Sequence, residues 1–102
     1  GKFAWMTITQ AMLRKAQTTL ESSEALIDVP RSLWGTEAVF IVRQVEGQSW
    51  RVSLRSKGRI DVNAVAKQFG GGGHRAASGC SMEGRETEVT QRLHDALRAA
   101  LP

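Results

Sequence analysis

Hydrophobic and polar positions along the chain fall into a few periodic runs. Residues Phe3 to Ile8 mix aromatic, β-branched and apolar types and predict a strand. Thr9 predicts the cap of a short helix with Met12, Leu13 and Ala16 on one side. Ser22 or Ser23 predicts a second helix start, with Leu26 and Ile27 facing inward; Pro30 ends or kinks it and Gly35 closes the connection. Ala38 to Val42 is an unbroken apolar run of strand length, the pattern of a strand covered on both faces. After a tight turn at Glu46-Gly47 the types alternate: Trp50, Val52 and Leu54 on one face, Arg51, Ser53 and Arg55 on the other. The pair reads as a hairpin whose second strand has a polar face.

The second half is helical in period. Asp61 predicts an N-cap, and Val62, Val65, Ala66 and Phe69 follow as one apolar stripe. Gly70 suits the left-handed residue just past a helix end. After the glycines, a turn and then a strand are expected around Ser78 to Met82. Val89, Leu93, Ala96, Leu97, Ala100 and Leu101 form a long final helical stripe, with Glu86 and Glu88 near its positive end and Arg92 and Arg98 further along. No internal repeat or low-complexity tract occurs beyond Gly70 to Gly73. The expected fold is a single small α/β domain over residues 1–102, a mixed β-sheet with helices packed on it.

Composition narrows the setting. At 102 residues, 41% hydrophobic and 24% charged, the chain is sized and composed for one globular domain. No apolar run approaches the ~20 residues of a membrane span, and the start lacks a signal pattern, so no membrane partner is expected. One cysteine makes neither an internal disulfide nor a thiolate-rich metal site, and a cytoplasmic location is expected. The opening Gly-Lys-Phe, without an initiator Met, suggests a piece of a longer protein.

Charge is unevenly spread. From Arg43 to Arg75 there are seven basic and two acidic residues, a net of +5. The remainder has seven basic and eight acidic residues, a net of −1. A local excess of this kind suggests an anionic ligand, with a solvated basic face as the plain alternative.

Two stretches in or beside that segment can carry chemistry: residues 53–59 and the run Gly70 to Arg75. A glycine run can take positive φ, let a ligand approach the main chain and turn successive N–H groups onto an anion. His74 can donate to a phosphate oxygen, Arg55 offers a fork of donors and Ser56 a hydroxyl; Arg75 and Lys57 add field. The glycines can equally be a flexible linker, and Arg55-Ser56-Lys57 a polar strand end. No G-x-x-x-x-G-K-S/T nucleotide loop is present. Asp61 is explained as a cap and is not assigned to a metal. Cys80 reads as a small buried residue, His94-Asp95 as an ordinary helix position, and Trp5, Trp34 and Trp50 as core or rim packing.

These motifs, taken together, resemble a known family. Val52-Ser53-Leu54-Arg55-Ser56-Lys57-Gly58, Ile60-Asp61-Val62-Asn63 with Ala66, and Phe69 through Cys80 look like the DHH-associated substrate-binding domain, the carboxy-terminal domain of DHH-family phosphoesterases. The likeness covers residues 52–80 closely. It favours the branch of bifunctional oligoribonucleases and phosphoadenosine-phosphate phosphatases, the nanoRNases.

The resemblance implies a division of labour. An amino-terminal DHH domain holds two divalent metals, usually manganese, and the associated domain grips a short RNA or another phosphorylated nucleotide. Carried over, the implied substrate contacts are Arg55 and Ser56 with Lys57, and Gly71, Gly72, Gly73 and His74 with Arg75. No Asp-His-His triplet occurs, and His74 and His94 are the only histidines, so no catalytic residue, metal ligand or cofactor is assigned to this chain. The parent protein is expected to be a hydrolase and this chain alone inactive. A non-catalytic nucleic-acid or nucleotide module, a RecJ-type exonuclease domain and a cyclic-dinucleotide phosphodiesterase domain are the alternatives.

Overall fold

A computed structural model describes residues 3–12 and 36–102. The elements are β1 (Phe3–Ile8), β2 (Ala38–Glu46), β3 (Ser49–Ser56), α1 (Val62–Lys67), β4 (Gly72–His74), β5 (Ala77–Glu83) and α2 (Glu86–Ala99). They build one five-stranded mixed sheet in the order β1-β2-β3-β5-β4. β1 runs parallel to β2, and the other pairs are antiparallel. The expected α/β domain with a mixed sheet and packed helices is therefore present. The helix predicted through Leu13 and Ala16, the second helix from Ser22 or Ser23, and Trp34 lie outside the described residues. No described helix is long and apolar enough to cross a membrane.

The local rules explain most of these elements. The Thr9 hydroxyl accepts the Met12 N–H at 3.1 Å, the capping bond predicted there. Ala38 through Val42 are all buried, as a strand covered on both faces requires. Gly47, at φ 51°, turns β2 into β3. The Asp61 carboxylate accepts the Asn63 and Ala64 N–H groups at 3.0 and 3.2 Å and starts α1. Gly70, at φ 83°, follows the end of that helix. At α2, the Glu88 carboxylate reaches back to the Arg85 N–H at 3.0 Å.

The sheet has two unlike faces. Phe40, Val42, Trp50, Val52, Leu54, Cys80 and Met82 meet Val62, Val65 and Ala66 of α1 and Val89, Leu93 and Leu97 of α2 in the main core. Trp50 still finds a partner for its indole N–H, the Gly84 carbonyl at 2.9 Å. On the second face Ile8, Val39 and Ile41 form a smaller apolar cluster with Ala4 and Met6. Arg43 continues that face and is 1% exposed. Arg43 belongs to the basic middle segment, but burial takes it off the solvated surface.

His94 faces back from α2 onto the edge of the core. Its ring lies edge-on to Trp5 at 4.4 Å and to Phe40 at 5.3 Å. Trp5 is a rim residue, 53% exposed. Burial, and then the Arg98 charge, lower the His94 pKa below its ordinary 6.5, with Asp95 opposing. The fold therefore favours the neutral ring. The stability this contributes is present above pH 6.5 and is lost as pH falls through the lowered folded value. In thermal unfolding at pH 7.5 and 5.5, His94→Gln is expected to lose less stability on acidification than the parent chain. An equal acid loss in both counts against the ring cluster as its source.

A candidate anion-binding face

Arg55 and Ser56 close β3 on opposite sides of the sheet. Arg55 shares the second face with Arg51 and Ser53. It is half-buried, and its Nη1 donates to the Leu54 carbonyl at 2.9 Å, which holds the guanidinium against the strand. Ser56 continues the parity of Trp50, Val52 and Leu54 and is buried. Its Oγ donates to the Ile60 carbonyl at 2.7 Å and accepts the Gly58 N–H at 3.1 Å. Ser56 was expected to offer its hydroxyl to a ligand. The structure commits that hydroxyl to bracing residues 56–60. Lys57 sits exposed on this turn, and its N–H donates to the Glu37 carbonyl at 3.2 Å.

The glycine run is a strand rather than an anion-cradling loop. Gly72 to His74 pair with β5 at the sheet edge, with Gly72 opposite Gly79, Gly73 opposite Ser78 and His74 opposite Ala77. Three of the four glycine N–H groups expected to converge on a ligand already have partners. Gly70 N–H donates to Lys67 O at 3.2 Å, Gly71 N–H to Ala66 O at 2.9 Å, and Gly73 N–H to the Asn63 side-chain oxygen at 2.9 Å. Glycine is required here by crowding. A Cβ on Gly71 would fall onto the Gly79 carbonyl and within 2.6 Å of the Cys80 Cβ. One on Gly73, at φ 154°, would come within 2.6 Å of the Ser78 Cα. The same geometry excludes a flexible linker.

This edge strand brings the two motifs together. Arg55 is opposite Ala77, and Ala77 is opposite His74, so one row across three strands carries both side chains on the second face. Two strand spacings separate their backbones by about 10 Å. His74 is exposed and Arg55 half-exposed, leaving both accessible to a common ligand.

Arg75 was expected to add field. The structure gives it a second task, that of a staple between the motifs. Its Nε donates to the Gly58 carbonyl at 2.7 Å, Nη2 to the Arg59 carbonyl at 3.4 Å, and Nη1 lies 3.8 Å from the Asp61 carboxylate. Main-chain bonds from Ser56 N to Ala76 O (3.0 Å) and from Val62 N to Arg75 O (2.9 Å) complete the seam. Arg59 turns away to Glu37 at 3.1 Å.

Asn63 was missed as a functional candidate. It is the polar position in α1 whose side chain reaches the strand bearing His74. Its sequence signal was an amide beside an apolar stripe, which alone does not name a partner. Cys80 is buried, and burial pushes its thiol up to about 11, so it is no nucleophile at neutral pH. Among the described residues, no three His, Cys, Asp or Glu side chains come together to hold a metal.

The comparisons with known proteins agree with this topology. The model of the DHHA1 domain matches residues 5–101, and the chain belongs to that family. Over 83 residues, 79% of this chain, it is 31% identical to the bifunctional oligoribonuclease and PAP phosphatase NrnA of Thermus thermophilus. Over 76 residues, 74% of this chain, it is 37% identical to the protein of the same name in Bacillus subtilis. The aligned part makes up 25% and 23% of those two relatives, so the chain spans about a quarter of their length. The crystal structure of an exopolyphosphatase-related protein from Bacteroides fragilis superposes with a TM-score of 0.79 at 28% identity. That match covers 92% of this chain and 28% of the other. Within the DHHA1 family, the chain is thus of the kind found in NrnA proteins.

The Asn63 bond separates presentation of His74 from stability. Asn63→Asp keeps an oxygen acceptor for the Gly73 N–H, and Asn63→Ala removes it. Asn63→Ala is expected to shift the Gly73 amide and His74 ring NMR signals, with the rest of the spectrum retained. Asn63→Asp is expected to restore both. Signals unmoved in Asn63→Ala would show that the bond does not set the position of β4.

Proposed function

We propose that this chain is the substrate-gripping domain of a metal-dependent DHH phosphoesterase that degrades short RNA oligonucleotides or dephosphorylates phosphoadenosine phosphate. The observation that carries this reading is the row joining Arg55 to His74 on one accessible sheet face. The names of the NrnA relatives supply the substrate classes. A guanidinium fork and an imidazole carried on backbones about 10 Å apart, across two strand spacings, suit a phosphate-bearing terminal nucleotide approached from both sides. Lys57 adds positive field from the adjoining turn. Ser56, Gly71, Gly72, Gly73 and Arg75 act mainly by holding that geometry.

The hydrolytic centre belongs elsewhere in the parent protein. Among the described residues the donors do not fit a two-metal site: Asp61 caps α1 and faces Arg75, and His94 is packed among aromatic rings. In this reading, two divalent metals, manganese by family likeness, sit in an amino-terminal DHH domain. This domain binds and orients the substrate there. The lone buried cysteine accords with a cytoplasmic protein.

Binding of a labelled RNA trinucleotide by the 102-residue chain, followed by fluorescence anisotropy, tests the reading. Arg55→Ala and His74→Ala are each expected to weaken binding by roughly tenfold, the scale of a lost charge-assisted hydrogen bond. Lys67→Ala, exposed on α1, is expected to change it less than about twofold. Equal losses at all three positions would indicate a diffuse basic surface instead. With added manganese, the chain alone is expected to turn over no more RNA than its His74→Ala variant. Clear excess turnover would place chemistry in this chain.

A further inference from the structure

The two edges of the sheet are built differently. β4, at one edge, is three residues long, and the Asn63 side chain covers its Gly73 N–H at 2.9 Å. β1, at the other, is six residues long, pairs with β2 without a register shift, and contains no charge, proline or glycine. Short length, charges, prolines and bulges keep a strand edge from pairing with another chain, and β1 has none of them. Among the described residues its backbone bonds go to β2 alone, so its outer edge presents unpaired N–H and C=O groups.

The side chains add an anchor. Phe3, Trp5 and Thr7 lie opposite Ala38, Phe40 and Val42 and so share the face of the main core. Trp5 is half exposed, yet its ring is held from two sides. It lies nearly parallel to Phe40, at 12° and 6.2 Å, and edge-on to His94 at 4.4 Å. Phe3 meets the same imidazole at 6.1 Å. An indole already fixed in place, and still wet on one side, loses little rotamer freedom on being covered, as an interface anchor should.

The chemistry of this edge fits an identical strand. Turned about a two-fold axis normal to the sheet, an antiparallel copy of β1 places Trp5 opposite Trp5, Phe3 opposite Thr7 and Ala4 opposite Met6, each pair on one face. No like charges meet, because the strand carries none, and each indole covers the other. A charged peptide would find no counter-charge on β1. The contact is small: six residues give about 20 Å of strand pairing. That is well short of what a permanent dimer buries, so the association is weak and reversible.

We propose that β1 is a self-association edge, through which two copies of this chain join their sheets antiparallel, centred on paired Trp5 rings. The two-fold axis uses up both β1 edges, so assembly stops at two. The Arg55 and His74 row ends at β4, the opposite edge, and stays open in such a pair.

Sedimentation of the 102-residue chain tests this. Its mass is expected to rise from one chain at about 10 μM toward two at about 1 mM, and no further. In a mixed sample with half the chains isotope-labelled, intermolecular NOEs are expected between Trp5 rings and between Phe3 and Thr7. Trp5→Lys removes the anchor and sets two charges face to face. Thr7→Glu charges the edge without touching the ring cluster. Each is expected to weaken dimerisation roughly tenfold or more, with the β3 and α2 amide signals retained. Where Trp5→Lys fails to fold, Thr7→Glu decides. A chain that stays single at about 1 mM, a species larger than two chains, NOEs from another surface, or a dimer undiminished in Thr7→Glu each overturn the proposal.

Discussion

The candidate site depends on how closely β4 lies against β5. Gly71 and Gly73 sit where any Cβ would strike the neighbouring strand, and the fold can add this last strand only because those side chains are missing. The consequence is positional. With β4 in the sheet, His74 becomes the third member of a row that starts at Arg55. Without it, the histidine would hang from a loop with no fixed relation to the arginine. The glycines thus act through position, by letting a rigid sheet present the His74 side chain.

Around that contact, polar residues act as internal fasteners. Ser56 closes the turn after β3, Arg75 ties that turn to the end of β4, and Asn63 holds the middle of β4 from the helix. Each satisfies a backbone group that burial or crowding would otherwise leave without a partner. Arg75 is the clearest case. Its guanidinium is well exposed, yet it bridges Gly58, Arg59 and Asp61, the kind of multi-point fit a lysine cannot reproduce.

The sequence was legible where periodicity or capping had a single meaning. The apolar run Ala38 to Val42, the α1 stripe behind Asp61 and the α2 stripe all formed as their patterns require. β4 was not legible, because glycines carry no face and hence no period. Ser56 could have been placed by extending the alternation of Trp50, Val52 and Leu54 one step further, which points it inward. Attention to the Arg-Ser pair as a chemical motif overrode that parity. Arg43 illustrates the opposite limit: its strand position assigns a face, but only the assembled sheet shows that this part of the face is buried. In the site, Arg55 and His74 were legible as two separate motifs, while the register that sets them in one row depends on contacts far apart in sequence.

The structure also redistributes the +5 of the middle segment. Arg43 is buried, Arg59 is paired with Glu37, Arg75 is spent on carbonyls and Asp61, and Lys67 stands on the helix. On the second face of β3, the exposed or half-exposed cations are Arg51 and Arg55, with Lys57 on the turn beyond. Arg51 and Arg55 lie four residues apart on the face that also carries His74, and Lys57 follows two residues later on the turn. A field arranged as a line differs in kind from a basic patch. A patch attracts any polyanion in any orientation, whereas a line along a strand, floored by small side chains, favours an extended anion lying parallel to it. The net charge therefore says less about recognition than the strand parity that sorts its members.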